Sequence, residues 1–179
     1  MTEESKLLIR SCEKGITSVI PALLADPKCD PGYNSNKAIK EVASEGRTEI
    51  VKLLLKDPRV NPAVENNYPI RWASENGHLP TVALLLKDPR VNPADEGNYA
   101  LRWATVNGRL NVAKLLISDP RVSIDDAIQT ARNKTQHDIV EGLEAFKASL
   151  LPDPSKKATI DALKQIVEAL NKLVVDLSQ

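Results

Sequence analysis

Aromatic residues and cysteines are scarce in this sequence. Only 3% of its 179 residues are aromatic, and Cys12 and Cys29 are the only cysteines. Two cysteines are too few for a disulfide framework, and we expect both to be small packing residues in a reducing compartment. No stretch approaches the 18 apolar residues of a membrane span, and the opening MTEESK is acidic where a secretory signal is basic. We therefore expect a protein of the cytoplasm or nucleus, without a membrane partner.

An excess of charge and a set of catalytic residues are also absent. Lys+Arg and Asp+Glu both number 24, and no stretch forms the basic stripe of a nucleic-acid binder. The only histidines, His78 and His137, are 59 residues apart, and no phosphate loop or nucleophile elbow is found. Asp125 and Asp126 are better explained by a helix start, where carboxylates favour the positive end, than by a metal site. We predict no enzymatic activity, no cofactor, no metal and no nucleic-acid partner.

What the chain does contain is an internal repeat of 31 residues. Glycines recur at this interval, and so do Asp-Pro pairs. The glycines are Gly15, Gly46, Gly77 and Gly108, and the pairs begin at Asp26, Asp57, Asp88 and Asp119. A period of this length is typical of an array of stacked supersecondary units. Such an array offers one long surface and no single deep cavity, which favours binding over catalysis.

One unit can be interpreted residue by residue from the copy that starts at Asn67. Asn67 is expected to cap a short helix with its side chain, and Gly77 to end that helix in the left-handed conformation. The leucine-rich stripe from Leu79 predicts a second helix, which the pair Asp88-Pro89 ends because the residue before proline avoids the α region. Five units are predicted within a 1–151 array, at about 4–25, 36–56, 67–87, 98–118 and 124–150.

These units resemble the ankyrin repeat. The segments GRTEIVKLLL from Gly46 and GHLPTVALLL from Gly77 match the start of that family's second helix, and the resemblance covers about residues 4–149. It implies an all-α solenoid of antiparallel helix pairs that binds another protein on its concave face and loop tips. The 31-residue variant resembles arrays of giant viruses and some unicellular eukaryotes, and being two residues shorter than usual it predicts a blunted hairpin. The family's Thr-Pro-Leu-His opening is missing, so its hydrogen-bond network cannot be transferred.

Four of the six aromatic residues lie in the first helices of the two central units, each pair beside an arginine. In one interpretation these Tyr, Arg and Trp side chains form a binding strip, since such residues dominate interface hot spots. In the other, each arginine stacks on an aromatic residue of the adjacent unit and hydrogen-bonds loop carbonyls. Identical residues in successive copies favour the second interpretation, because partner-reading positions usually differ between copies.

The positions that do differ between copies on this helix face and at the loop tips are further candidates for partner binding. A plain solvated helix face is the alternative explanation. Together with the aromatic and arginine positions, the candidates are Lys40, Glu41, Ser44, Glu45, Asn66, Asn67, Tyr68, Arg71, Trp72, Glu75, Asn76, Asn98, Tyr99, Arg102, Trp103, Val106 and Asn107.

The C-terminal segment has a different pattern. Residues 152–155 read as a linker, and 156–179 as an amphipathic helix with β-branched residues and leucines at heptad spacing. Its apolar stripe is broad, which favours a capping helix on the last unit over self-association. We thus expect a monomeric, non-enzymatic protein-interaction scaffold; the alternative is a homo-oligomeric structural protein assembled through 156–179.

Overall fold

The computed structural model describes residues 2–150 together with residues 166 and 168, which are helical. The chain divides into two compact units, Met1–Glu144 and Ala145–Gln179. The predicted linker and most of the predicted C-terminal helix lie outside the described residues. Within residues 2–150 the α-helices are α1 (Glu3–Glu13), α2 (Ile20–Ala25), α3 (Tyr33–Ser44), α4 (Thr48–Leu54), α5 (Val64–Asn76), α6 (Leu79–Leu85), α7 (Asp95–Val106), α8 (Leu110–Ile117), α9 (Ile124–Asn133) and α10 (His137–Leu150).

The helices of the first compact unit pack in two layers. The first helices of successive repeats, α1, α3, α5, α7 and α9, contact one another in that order, and the second helices α2, α4, α6 and α8 do the same. Each of α1, α3, α5 and α7 also contacts the second helix that follows it. No β-strand occurs within residues 2–150. The prediction of an all-α array of stacked helix pairs is confirmed.

The core consists of the same side-chain positions in every inner unit. Leu54, Leu85 and Leu116 of the second helices are all 0% exposed. Burying a leucine completely contributes about 2 kcal/mol relative to leaving it in water. In the first helices Ala73 and Ala104 are likewise buried, and their small side chains let neighbouring helices approach closely. Each pair therefore covers its leucines only because another pair lies against it.

The turn inside each unit uses glycine as predicted. Gly46 has φ of +71° and Gly77 of +83°, the left-handed conformation in which glycine carries no steric cost. At Gly46 the packing is also tight, because a Cβ atom would lie 2.4 Å from Nδ1 of His78 in the next unit. In the last unit Thr135 takes this place with φ of +53°.

The starts of the first helices differ from the prediction. Each of α3, α5 and α7 includes one turn of left-handed residues, Asn34–Asn36, Glu65–Asn67 and Glu96–Asn98, with φ between +49° and +64°. The side-chain cap predicted for Asn67 is wrong, since Asn67 itself is left-handed with φ of +60°. For residues other than glycine this conformation costs roughly 1–2 kcal/mol each, so the turns depend on contacts made by their neighbours.

Those contacts come from the following unit. The Asn67 side chain accepts a hydrogen bond from the backbone N–H of Asn92 at 2.7 Å and donates one to Asp95 at 2.8 Å. Asn36 and Asn98 accept equivalent bonds from the backbone of Asn61 and Ser123. Each left-handed turn is thereby fixed to the next unit.

Candidate functional site

Successive units are joined at three corners, which we define as Asp57–Arg59, Asp88–Arg90 and Asp119–Arg121. In each corner the aspartate accepts hydrogen bonds from the arginine side chain, with N–O distances between 2.6 and 2.9 Å. The same arginine donates through Nη1 to a carbonyl of the preceding unit, that of Cys29, Val60 or Val91. The arginine hydrogen bonds lower the pKa of all three aspartates. The corners thus hold the relative position of adjacent helix pairs.

These corners were not predicted, although the sequence contains a signal for them. The motif Asp-Pro-Arg recurs at all three, and the arginine follows the aspartate by two residues. In the first unit Lys28 replaces the arginine, and only its backbone N–H binds Asp26. A cation recurring at fixed spacing from a helix-ending Asp-Pro pair was the available clue.

The aromatic row, defined as Tyr68, Trp72, Tyr99 and Trp103, lies on the first helices α5 and α7. Within each helix the tyrosine and tryptophan rings are in tilted contact, with centroids 5.4 Å apart in α5 and 5.7 Å in α7. All four side chains are half-buried. The Tyr99 hydroxyl donates to Glu75 at 2.9 Å, and burial together with this carboxylate raises the pKa of Tyr99 to about 12.

The two arginines beside this row make different contacts. Arg71 lies over the ring of Tyr99 in the next unit, 4.6 Å from the centroid, and donates to the carbonyl of Asn66 at 3.2 Å. This is the cross-unit stacking that the sequence predicted. The next first helix, α9, carries no aromatic residue, and Arg102 instead donates to Gln136 at 2.5 Å.

Arg102 is an interior residue. It is 1% exposed and donates to the carbonyls of Glu96 and Gly97, both in the left-handed turn of its own unit, at 3.0 Å each. Burial lowers the pKa of its guanidinium. Its role is therefore to satisfy the carbonyls of a strained turn.

Further contacts between units surround the glycine turns. Asn76 donates through its amide to the carbonyl of Ser44 at 2.8 Å, and Nε2 of His78 lies 2.9 Å from the same oxygen. His78 thereby links its turn to the preceding unit. Asn107 makes a longer contact, 3.5 Å, to the carbonyl of Glu75.

The structure removes three candidates from the surface that a partner could contact. Asn67, Asn98 and Arg102 are 5%, 4% and 1% exposed, because each binds backbone or side-chain groups of neighbouring turns. The exposed candidates are Glu45, Asn66, Asn76 and Asn107. The half-buried ones are Lys40, Glu41, Ser44, Tyr68, Arg71, Trp72, Glu75, Tyr99, Trp103 and Val106. We call these fourteen residues the first-helix face.

The remaining chemistry of the described chain is sparse. Within residues 2–150 no group of three His, Cys, Asp or Glu side chains is placed to hold a metal ion. Cys12 and Cys29 are buried free thiols, and burial raises the pKa of Cys12 to about 12. None of the described helices has the length and apolar character needed to cross a bilayer.

Stacked helix pairs joined by short corners define a solenoid repeat protein. The family model described as ankyrin repeats (3 copies) matches residues 39–130, just over half of the 179 residues. The chain belongs to the ankyrin-repeat family, as its sequence predicted. No curated protein matches the chain closely enough to count as a relative. Ankyrin repeats generally serve as protein-interaction modules, and the family is typically non-enzymatic.

Proposed function

We propose that this protein is a non-enzymatic scaffold that binds another protein through the first-helix face and the adjoining loop tips. The observation that supports this most directly is a contrast within the first helices. At one buried position the units carry Ile39, Ile70 and Leu101, all 0% exposed. On the first-helix face the equivalent positions change character, as in the series Glu41, Trp72 and Trp103. Residue changes that occur on the accessible side of these helices, and not at the buried position, fit a surface that recognises a specific partner.

The corners support the same proposal, because they fix the face before binding. A preorganised surface loses little conformational entropy when a partner docks, so a few anchoring side chains are enough for affinity. Half-buried tryptophans are effective anchors of this kind. Two buried free thiols are consistent with action in the cytoplasm or nucleus.

The test compares proteins captured by three forms of the full chain. The first is the wild type, the second carries Trp72→Ala and Trp103→Ala, and the control carries Lys56→Ala and Lys87→Ala on the second-helix side. We expect the tryptophan variant to lose specific partners that the wild type and the control retain, at an unchanged melting temperature. Retention of every partner by the tryptophan variant would contradict the proposal. A large fall in its melting temperature would instead assign the tryptophans to packing.

A homo-oligomer assembled through residues 156–179 is the second candidate. Its support is the heptad pattern of this segment and the exposure of Ile166, 54% of whose surface is accessible. Sedimentation over a range of micromolar concentrations separates the two candidates. A mass that stays at one chain throughout removes the oligomer, whereas a concentration-dependent rise supports it.

A further inference from the structure

The accessible charges of the first-helix face and its loop tips are mainly carboxylates. The side chain of Glu65 at one loop tip is 47% exposed, and Glu96 at the next tip is also exposed, whereas Glu45 is neutralised by an ion pair with Arg47. Glu41 and Glu75 are half-buried on the helices between them. The exposed charged side chains at these two loop tips, Glu65 and Glu96, are therefore both negative.

The cations of the same face are covered. Lys40 has a side chain only 16% exposed and forms an ion pair with Glu65 at 2.6 Å. Arg102 is buried, and Arg71 is half-buried with its guanidinium against the Tyr99 ring. An approaching ligand therefore meets the carboxylates first, and this favours a positively charged partner and disfavours nucleic acid.

The rings of the aromatic row differ in whether a cation of this chain lies over them. Both tyrosines carry a cation from this chain: Lys40 lies 5.6 Å from the Tyr68 centroid and Arg71 4.6 Å from that of Tyr99. Within the described residues no cation lies over Trp72 or Trp103, although indole is the strongest cation–π acceptor among the aromatic side chains. The two half-buried indoles are thus open to a cation from outside the chain.

The spacing of the two tryptophans restricts the shape of the ligand. They occupy equivalent positions on adjacent packed helices, whose axes are typically about 8–10 Å apart. A polyproline-II segment rises about 3.1 Å per residue and turns once every three residues, so its residues i and i+3 point the same way about 9 Å apart. Two cationic side chains at that spacing match the two indoles.

We propose that the first-helix face binds an extended basic peptide segment of its partner protein, with Lys or Arg side chains three residues apart lying on Trp72 and Trp103. The exposed carboxylate of Glu96 at the adjoining loop tip binds the same cations. This inference rests on the proposed protein-binding function and specifies the partner's chemistry.

The test measures fluorescence anisotropy of labelled synthetic peptides with the full chain. The probe repeats Arg-Ser-Pro, which places an arginine at every third residue; the control peptides replace arginine by glutamine, or place it at every fourth residue. We expect binding of the probe, weaker binding of the every-fourth peptide, none of the glutamine peptide, and quenching of tryptophan fluorescence. Probe affinity should fall with added salt, because exposed charges contribute.

Matched variants assign the binding to this face. Trp72→Ala with Trp103→Ala should weaken the probe about tenfold or more, while the corresponding pair of Trp→Phe substitutions retains part of the affinity and the packing. Glu96→Gln should weaken it severalfold, and Glu49→Gln, which removes an exposed carboxylate on the second-helix side, should not.

Equal binding of the probe to wild type and the Trp→Ala variant, or no binding of it at low salt, would overturn the proposal. If the tryptophan variant still lost partners in the capture experiment, protein binding at this face would stand without the basic-peptide specificity. If the tryptophan variant neither weakened binding of the probe nor lost partners in the capture experiment, the first-helix face would not be the binding surface.

Discussion

The corners and the arginines of the first-helix layer both repeat identical residues, but only the corners repeat all of their contacts. Arg59, Arg90 and Arg121 each bind their aspartate and a carbonyl of the preceding unit with nearly the same distances. Arg71 and Arg102 also occupy equivalent positions, but one stacks on an aromatic ring and the other is buried against Gln136. The same side chain therefore has a constant role in one region and a variable role in the other.

The difference follows from what accepts the hydrogen bonds. A corner arginine binds a backbone carbonyl, which every unit supplies at the same place whatever its sequence. Arg71 and Arg102 each donate to the carbonyl five residues before them, but their contacts with the next unit depend on its side chains, and there Asp126 occupies the position that Tyr99 has in the fourth unit. A repeated residue thus predicts a repeated contact when its partner is the backbone or a side chain that is repeated with it.

The largest expected effect comes from removing Arg102. In Arg102→Met the carbonyls of Glu96 and Gly97 lose their donor inside the protein, and an unsatisfied buried polar group costs about 1–3 kcal/mol. With two carbonyls affected, we expect the free energy of unfolding to fall by about 3 kcal/mol in urea titrations. Arg71→Met serves as the matched substitution in the neighbouring unit and should cost about 1 kcal/mol, since it loses one hydrogen bond and one ring contact. Equal losses would contradict the different roles assigned to the two arginines.

The corners should respond equally to equivalent substitutions. Arg90→Gln and Arg121→Gln each remove a partly exposed ion pair and a charged hydrogen bond to a carbonyl, and we expect each to cost about 1 kcal/mol after solvent screening. Arg59→Gln should cost slightly more, because Arg59 also donates to the Leu24 carbonyl at 2.8 Å. Urea titrations of the three variants check this, with Lys87→Gln as a control at an exposed position. A loss at Arg121 several times that at Arg90 would show that the corners are not equivalent.

The features that could be predicted from the sequence are those that the units repeat. Stacking of helix pairs, glycine turns and the contact of Arg71 with Tyr99 could all be predicted, because they depend on periodicity and on identical neighbouring copies. The left-handed turns could not, since Glu65, Asn66 and Asn67 are not glycines and their conformation is held by bonds to the next unit. The burial of Arg102 was missed because Gln136, which accepts its hydrogen bond, stands where earlier units carry His78 or Arg109.

A smaller effect is expected for the coupling between Arg71 and Tyr99. The variants Arg71→Met, Tyr99→Leu and their combination form a double-mutant cycle, in which the coupling is the part of the stability change that is not additive. A guanidinium over a half-buried ring predicts about 0.5–1 kcal/mol. The cycle of Arg102 with Tyr99, whose centroid is 5.8 Å from that guanidinium, should give less. A coupling near zero for Arg71 would show that the observed stacking does not stabilise the fold.

The smallest effect per site is expected in the pH dependence of stability. The corner aspartates should act at the acid end of the pH range and Tyr99 of the first-helix layer at the alkaline end. The pKa of Asp57, Asp88 and Asp119 is lowered in the folded chain, so these carboxylates stabilise it above the unfolded pKa of about 4 and lose this contribution as the pH falls through the folded values. The pKa of Tyr99 is raised from its ordinary value near 10 to about 12, so its contribution is present below pH 10 and is lost as the pH rises to 12.

Melting temperatures measured from pH 2 to pH 12 check both limbs. Asp88→Asn should flatten the acid limb and leave the alkaline one unchanged, because asparagine does not titrate. Tyr99→Phe should flatten the alkaline limb alone; Cys12, whose pKa is also raised to about 12, is present in both proteins and cancels from the difference. If Asp88→Asn left the acid limb as steep as in the wild type, the corner aspartates would not be stabilised by their arginines. The corners would then differ from Arg71 and Arg102 in their hydrogen bonds and not in their electrostatics.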